Sequence, residues 1–171
     1  METWDAITAR RNVREFTDEP LSDQQLRRIL EAAWRAPSSR NGQPWDFVAV
    51  TERSQLEELS KVWRGGGHIA GAAAAVAMLI PDSDDAHTRE TNRYDLGQAA
   101  MQMMIAAADM GIGSGHSAVG DQELARRILG HPQDRIAALI IDFGHPADRP
   151  LAPIRKPDRR PFDDVVHFGH W

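Results

Sequence analysis

The chain has 171 residues, of which 42% are apolar and 26% charged, with a formal net charge of −5 and no cysteine. This composition is typical of one folded domain spanning residues 1–171; the acidic balance argues against nucleic-acid binding, and the lack of thiols excludes disulfides and thiolate metal sites. No apolar run approaches the roughly 20 residues of a membrane helix, and the amino terminus lacks a signal-peptide pattern, so we expect a cytoplasmic protein that binds neither nucleic acid nor membrane.

The first half of the chain predicts two helices separated by a strand. Ser22 and Gln25 form a capping-box pair ahead of apolar residues at helical spacing, which predicts that a helix begins there. Residues 47–50 predict a buried strand. Ser54 and Glu57 repeat the capping pattern and predict the start of a second amphipathic helix.

The second half predicts a strand over residues 73–80 and a polar loop over residues 81–91. A helix is predicted from residue 95 to residue 110, apolar almost all round from residue 99 onward, as expected at the centre of a core or an interface. A glycine-rich turn is predicted at residues 111–115. Next come a short helix that begins near Asp121 and a strand over residues 136–143.

The tail from Pro146 onward is rich in proline and charge and has little core of its own. Several apolar side chains near its end require a partner, and in a protein of two subunits such a tail often wraps the neighbour. The elements together predict an α+β fold, with a small central sheet flanked by helices and a tail that docks elsewhere.

Two basic clusters lie near the two ends of this acidic chain. They consist of Arg10, Arg11 and Arg14, and of Arg155, Lys156, Arg159 and Arg160. Guanidinium groups hold phosphate through several charge-assisted hydrogen bonds, so both clusters could converge on one anion after folding. The alternative is two solvated surface patches, which charge alone favours.

A second constellation of polar residues lies between the first predicted helix and the first strand, in the segment APSSRNGQPW. Its two prolines restrict the backbone, and its serines and amides offer hydrogen-bond donors and acceptors beside the apolar wall of Trp45. That combination suits a heterocycle with a hydrogen-bonding edge. The alternative is an ordinary polar loop with Trp45 in the core.

Four segments spread over nearly the whole chain form a set: RRNVREF, APSSRNGQPWDFVAV, DLGQAAMQMMIAAADMGIGSG and RRPFDDVVHFGHW. In this order they resemble the amino-terminal motifs, the central helix with its glycine turn, and the carboxy-terminal motif of the FMN-dependent nitroreductase family. The resemblance implies the α+β sandwich of that family, as a homodimer that binds FMN at its interface and exchanges carboxy-terminal tails.

The resemblance also implies cofactor contacts by position. The residues expected on the flavin phosphate and ribityl chain are Arg10, Arg11, Asn12, Arg14, Arg159 and Arg160. Those expected to reach the isoalloxazine ring from the other subunit are Ser38, Ser39 and Asn41, with Gln43 as a further cofactor contact. A turn from residue 113 to residue 119, including Gly113 and Ser114, is expected to bring backbone amides toward the N5 edge of the flavin.

The implied activity is transfer of reducing equivalents from NADH or NADPH through FMN to a small acceptor, such as a nitroaromatic or a quinone. The sequence has no Gly-x-Gly-x-x-Gly fingerprint after a strand, which fits a ping-pong enzyme whose nicotinamide docks transiently. Because the chemistry belongs to the flavin, no catalytic side chain is expected.

Two alternatives keep the fold and change the function. Relatives in the same family carry out specialised flavin chemistry: flavin cleavage, dehalogenation or azoline oxidation. The segment between residues 80 and 95 is short, which indicates little cover over the flavin and makes a flavin-binding or flavin-storage protein the other alternative. No metal site is expected, because the seven histidines show no pair at ligand spacing on one predicted helix.

Overall fold

A four-stranded antiparallel sheet lies between two layers of helices in the computed structural model, which describes all residues from 1 to 171. The helices are α1 (Thr3–Ala9), α2 (Asp23–Trp34), α3 (Arg53–Leu59), α4 (Ala86–Asp109) and α5 (Gln122–Leu129). The strands are β1 (Asp46–Val50), β2 (Ala74–Pro81), β3 (Gly113–Ser117) and β4 (Arg135–Gly144), in the spatial order β1-β2-β4-β3. The prediction of an α+β fold with a small sheet flanked by helices is confirmed.

The two faces of the sheet are covered by different helices because strand side chains alternate. On the α4 face, Val76, Met78 and Phe143 pack with residues of α2 and α4. On the opposite face, called the α5 face, Ala77 and Ile140 pack with residues of α3 and α5. Full burial of one such large side chain stabilises the fold by about 1.5–3 kcal/mol.

Helix α2 begins where the sequence predicted it. The Ser22 hydroxyl accepts a hydrogen bond from the Gln25 amide at 3.2 Å, and the Gln25 side chain accepts one from the Ser22 amide at 2.8 Å. The second predicted capping box is wrong: α3 begins at Arg53, one residue before Ser54, and no side chain caps it. Ser54 lies inside the first turn instead of preceding it.

Helix α4 is longer than predicted, because the segment expected to be a loop over residues 81–91 is helical from Ala86 onward. Asp85 caps this helix by accepting hydrogen bonds from the amide and the hydroxyl of Thr88, at 2.8 and 2.6 Å. The first turns are exposed to solvent on most sides, so no apolar periodicity marks them. Gly111 follows the helix with a φ of 74°, in the left-handed region where glycine commonly ends a helix.

The predicted glycine-rich turn at residues 111–115 is also wrong over most of its length, since Gly113, Ser114 and Gly115 belong to strand β3. Glycine disfavours strands intrinsically, and here the pairing of β3 with β4 determines the conformation. The predictions of strands at β2 and β4 and of the short helix α5 are confirmed. The strand predicted at residues 47–50 is present as β1, but the prediction that it is buried is wrong, because β1 lies at the edge of the sheet and only its Val50 is buried. None of the helices has the length and apolar character needed to span a membrane.

Candidate functional site

Residues 10–14, called the arm below, leave α1 and lie along the outer edge of strand β3. Asn12 forms a parallel bridge with Ser114, and the Val13 amide donates to the Ser114 carbonyl at 2.9 Å. Val13 is 1% exposed and anchors the arm in the core. The basic residues of the arm are therefore held by a backbone that is fixed at its centre.

The glycines of β3 allow this close approach of the arm. A Cβ atom at Gly113 would lie 2.7 Å from Val13 Cγ2, and one at Gly115 would lie 2.7 Å from the Val13 carbonyl oxygen. Both distances are far below van der Waals contact, so any side chain at either position would displace the arm. The residues predicted here as a turn near a cofactor thus form the strand on which the arm is seated, with Ser114 buried beneath it.

Arg11 and Arg14 line a polar cleft of about 310 Å³ together with Asn12, Glu15 and Asp148. Arg11 forms an ion pair with Asp148 at 2.7 Å and donates to the Arg149 carbonyl at 2.9 Å. The hydrogen bond from Arg11, followed by one from the Arg149 amide, lowers the pKa of Asp148 below its ordinary value. Arg11 is thereby partly neutralised, whereas Arg14 is exposed and forms no ion pair.

The two basic clusters meet at Arg10 and Arg159. Both line a cavity of about 340 Å³ between α1, α4 and the tail, and the tail is tied to α1 by the Ile154 amide, which donates to the Thr8 carbonyl at 3.1 Å. Arg160 does not reach the arm: it donates to the Asp164 carbonyl at 3.0 Å. Within one chain, the clusters therefore converge through one arginine from each end.

The predicted segment of serines and amides, residues 36–45 and here called the loop, adopts an unusual backbone. Arg40, Asn41 and Gln43 have φ values of 53°, 57° and 48°, in the left-handed region where a residue with a side chain is strained by about 1–3 kcal/mol. The Ser38 hydroxyl accepts a hydrogen bond from the Gln43 amide at 2.9 Å, which closes the loop. Such strain is typical of ligand-binding segments.

A buried carboxylate that the sequence analysis did not single out holds this loop in place. Asp95 on α4 is 2% exposed and accepts a hydrogen bond from the Ser39 amide at 3.0 Å. Gln98 donates to the other carboxylate oxygen at 3.3 Å. The only signal in the sequence is an acidic residue at the start of the apolar part of a helix, which does not reveal a contact with a residue 56 positions earlier.

The loop and α4 border an open cleft of about 490 Å³, lined almost entirely by residues with polar or charged side chains. The lining residues from the loop are Ser38 and Ser39, and those from α4 include His87, Glu90, Tyr94 and Asp95. The Tyr94 side chain is largely exposed and offers an aromatic surface. This cleft shares no lining residue with the cavities of the arm.

Replacing Asp95 with alanine is expected to release the Ser39 amide and allow the strained loop to relax. Because the hydrogen bond is made to a charged group, we expect the free energy of unfolding to fall by about 1.5–3 kcal/mol. Urea denaturation measures the change. Asp95→Asn keeps an acceptor for the Ser39 amide and serves as the control; an equal loss in both variants would show that the hydrogen bond is not the cause.

The histidines are dispersed, and no group of three or more His, Asp or Glu side chains is arranged to hold a metal ion. His116 on β3 is exposed. His68 is nearly buried and pairs with Asp142. Neither His68 nor Asp142 was singled out from the sequence.

Comparison with known proteins gives consistent matches. The sequence profile of the Nitroreductase family matches residues 7–82 and 61–145. An NADH dehydrogenase of Thermus thermophilus is 30% identical over 193 aligned positions, which cover 91% of this chain and 94% of that protein. An FMN reductase [NAD(P)H] of Bacillus subtilis is 28% identical over an alignment that covers 95% of this chain and 71% of that protein. The solved structure of the NADPH:FMN oxidoreductase from Vibrio harveyi, complexed with NAD+, superposes with a TM-score of 0.84 at 26% identity, over 97% of this chain and 76% of that one.

Proposed function

Because the chain belongs to the nitroreductase family, we propose that it is an NAD(P)H-dependent flavin oxidoreductase with FMN as its cofactor. The observation that carries the proposal is the arm, whose basic side chains flank a backbone fixed to β3 by the hydrogen bond between Val13 and Ser114. Two relatives in the comparison are named for FMN, the reductase of Bacillus subtilis and the oxidoreductase of Vibrio harveyi.

The donor set of the chain fits FMN. Its terminal phosphate requires cations that are not already neutralised, and Arg14 and Arg10 supply them, with Arg159 beside Arg10. The hydrogen-bonding edge of its ring requires hydroxyl and amide groups, and the residues that supply these are Ser38, Ser39, Asn41 and Gln43. Arg11 is paired with Asp148, and Arg160 lines neither cavity of the arm, so these two are the weaker candidates. Arg159 also donates to a backbone carbonyl, that of Asp158 at 2.8 Å, but it lines the same cavity as Arg10.

Bound FMN would supply the redox chemistry, that is, the uptake of a hydride from a nicotinamide and the transfer of reducing equivalents to a second molecule. The residues of this chain bind and orient it. The arm holds the phosphate, the strained loop presents its polar groups without further ordering, and β3 places backbone amides beside the arm. Preordering of this kind lowers the entropy that binding would otherwise lose.

We propose that the nicotinamide and the acceptor use the open cleft between the loop and α4 in turn, in a ping-pong sequence. The cleft is open to solvent and has the aromatic ring of Tyr94 at its side, which suits a flat acceptor such as a nitroaromatic or a quinone. We place the protein in the cytoplasm, where NADH and NADPH are available.

Anaerobic titration of the purified protein with NADPH and with NADH tests the proposed function. We expect one or both to bleach the absorbance of the oxidised flavin, and a quinone or nitroaromatic added afterwards to restore it. In steady state, parallel double-reciprocal plots are expected for a ping-pong sequence. A flavin that neither nicotinamide reduces would indicate a binding or storage protein instead of an oxidoreductase.

We also propose that the chain acts as a homodimer whose tails contact the opposite subunit. Large apolar side chains remain exposed in the single chain: Trp4, Ile7 and Met101 on α1 and α4, and Phe162, Phe168 and Trp171 in the tail. Since the loop and the arm line separate cavities, two subunits could each supply one half of a shared site.

The expected result of light scattering on the purified protein is the mass of two chains. A two-fold interface buries the same apolar patch on both partners, which explains why a small chain can expose it. A monomer that nevertheless binds FMN tightly would refute the shared site.

A further inference from the structure

A buried pair of ionisable residues lies behind the arm and has no part in the function proposed above. His68 lies in a short 3₁₀ segment (Gly67–Gly71), and Asp142 lies on β4. Their side chains are 5% and 0% exposed, and His68 Nδ1 lies 2.8 Å from Asp142 Oδ2. Because carboxylate oxygens accept hydrogen bonds, Nδ1 is assigned as the nitrogen of His68 that donates.

The carboxylate lies where three parts of the chain meet. Asp142 is paired with Gly115 in the register of β3 and β4. A Cβ atom built at Gly115 would lie 3.0 and 3.1 Å from the two Asp142 oxygens and 2.7 Å from the Val13 carbonyl oxygen. The pair therefore lies directly beside the junction of β4, β3 and the arm.

The Asp142 carboxylate depends on His68 for its only hydrogen bond. The second carboxylate oxygen, Oδ1, is buried and has no partner. A buried charge with so little compensation opposes folding, and an apolar pair of similar shape would be at least as stabilising. A contribution to stability therefore does not by itself account for the pair at this junction.

We propose that His68 and Asp142 are positioning residues that hold β3 in the place where the arm can seat, and so preset the arginines of the arm. The Asp142 carboxylate links the 3₁₀ segment of His68 to β4. Strand β4 in turn pairs with β3, whose Ser114 carbonyl accepts the hydrogen bond from the Val13 amide. The part of this proposal that concerns the flavin phosphate rests on the proposed function; the part that concerns the arm does not.

The test variant is the double replacement His68→Leu with Asp142→Leu. It removes both partners together, so no buried charge is left unpaired and the protein is expected to fold. The control is His68→Asn, whose side-chain amide retains a donor at the position of Nδ1. Both are compared with the wild type as the purified full-length protein.

Hydrogen exchange of the flavin-free protein measures the seating of the arm directly. We expect the Val13 amide to exchange at least about tenfold faster in the double variant, while amides of β1 and β2 keep their protection. His68→Asn is expected to retain most of the wild-type protection at Val13. Unchanged protection at Val13, or an equal loss throughout the sheet, would overturn the proposal.

Titration of the apoproteins with FMN and with riboflavin measures the consequence for the phosphate. The double variant is expected to bind FMN about tenfold more weakly, as for the loss of one hydrogen bond to a charged group, and riboflavin as the wild type does. Equal weakening of both ligands would remove the link to the phosphate. If the wild type bound neither ligand, the proposed function would fail, while the exchange experiment would still decide the role of the pair.

Discussion

Replacing His68 alone with leucine is expected to lower the free energy of unfolding by about 3 kcal/mol, since a buried charged acceptor that loses its hydrogen-bond donor costs more than the loss of an ordinary hydrogen bond. The reason is that the Asp142 carboxylate, which is 0% exposed, would lose its only hydrogen bond and remain buried and unpaired. Urea denaturation at neutral pH measures the effect. His87→Leu, at an exposed position on α4, is the matched control and should change stability by less than about 0.5 kcal/mol.

A second substitution distinguishes an unpaired charge from a simple packing defect in the same denaturation experiment. If the unpaired charge is the cause, adding Asp142→Leu to His68→Leu should restore stability, since the second substitution removes the buried carboxylate. A double variant less stable than the single variant would mean that the two side chains contribute independently, and the pair would then have no special role.

Replacing Arg14 with alanine is expected to weaken FMN binding by about 1.5–3 kcal/mol, the range for hydrogen bonds to charged groups. Arg14 is exposed beside the fixed centre of the arm, whereas Arg11 is engaged by Asp148 at 2.7 Å. Riboflavin, which lacks the phosphate, should bind the variant and the wild type almost equally. Titration of the apoprotein with both ligands measures the difference.

Arg159→Ala is expected to have an effect of the same size, and it tests whether the tail contributes to the same phosphate. Since Arg10 and Arg159 line one cavity, their double replacement should depart from additivity. Arg127→Ala, an exposed arginine on α5, is the control and should leave both ligands unaffected. For the Arg14→Ala variant described above, the outcome against a phosphate contact is riboflavin binding that is weakened as much as FMN binding. Arg14 would then have a structural role.

The elements that could be predicted from the sequence are those with a local signal. The capping pair at the start of α2 and the apolar runs of β2 and β4 depend on neighbouring residues, and the structure confirms them. The first turns of α4 escaped prediction because their exposed polar surface shows no periodicity. Strand β3 escaped because glycine-rich sequence indicates a turn, whereas its pairing with β4 and the close approach of Val13 require a strand there.

The candidate site divides in the same way. The arm and the loop are each a short continuous motif, so the resemblance to the nitroreductase family could identify their residues from the sequence. The contacts that hold them could not, because Asp95 reaches Ser39 across 56 positions and His68 reaches Asp142 across 74. Such pairs exist only after the sheet and α4 have brought distant parts of the chain together.

The central claim is that this chain holds FMN by a basic arm that suits a terminal phosphate. The most direct measurement is chromatography of the chromophore released when the purified protein is denatured. We expect a yellow protein that releases FMN, because a phosphate monoester presents its full charge to the exposed arginines of the arm. Release of FAD, or a colourless protein whose apo form binds no flavin, would contradict the account.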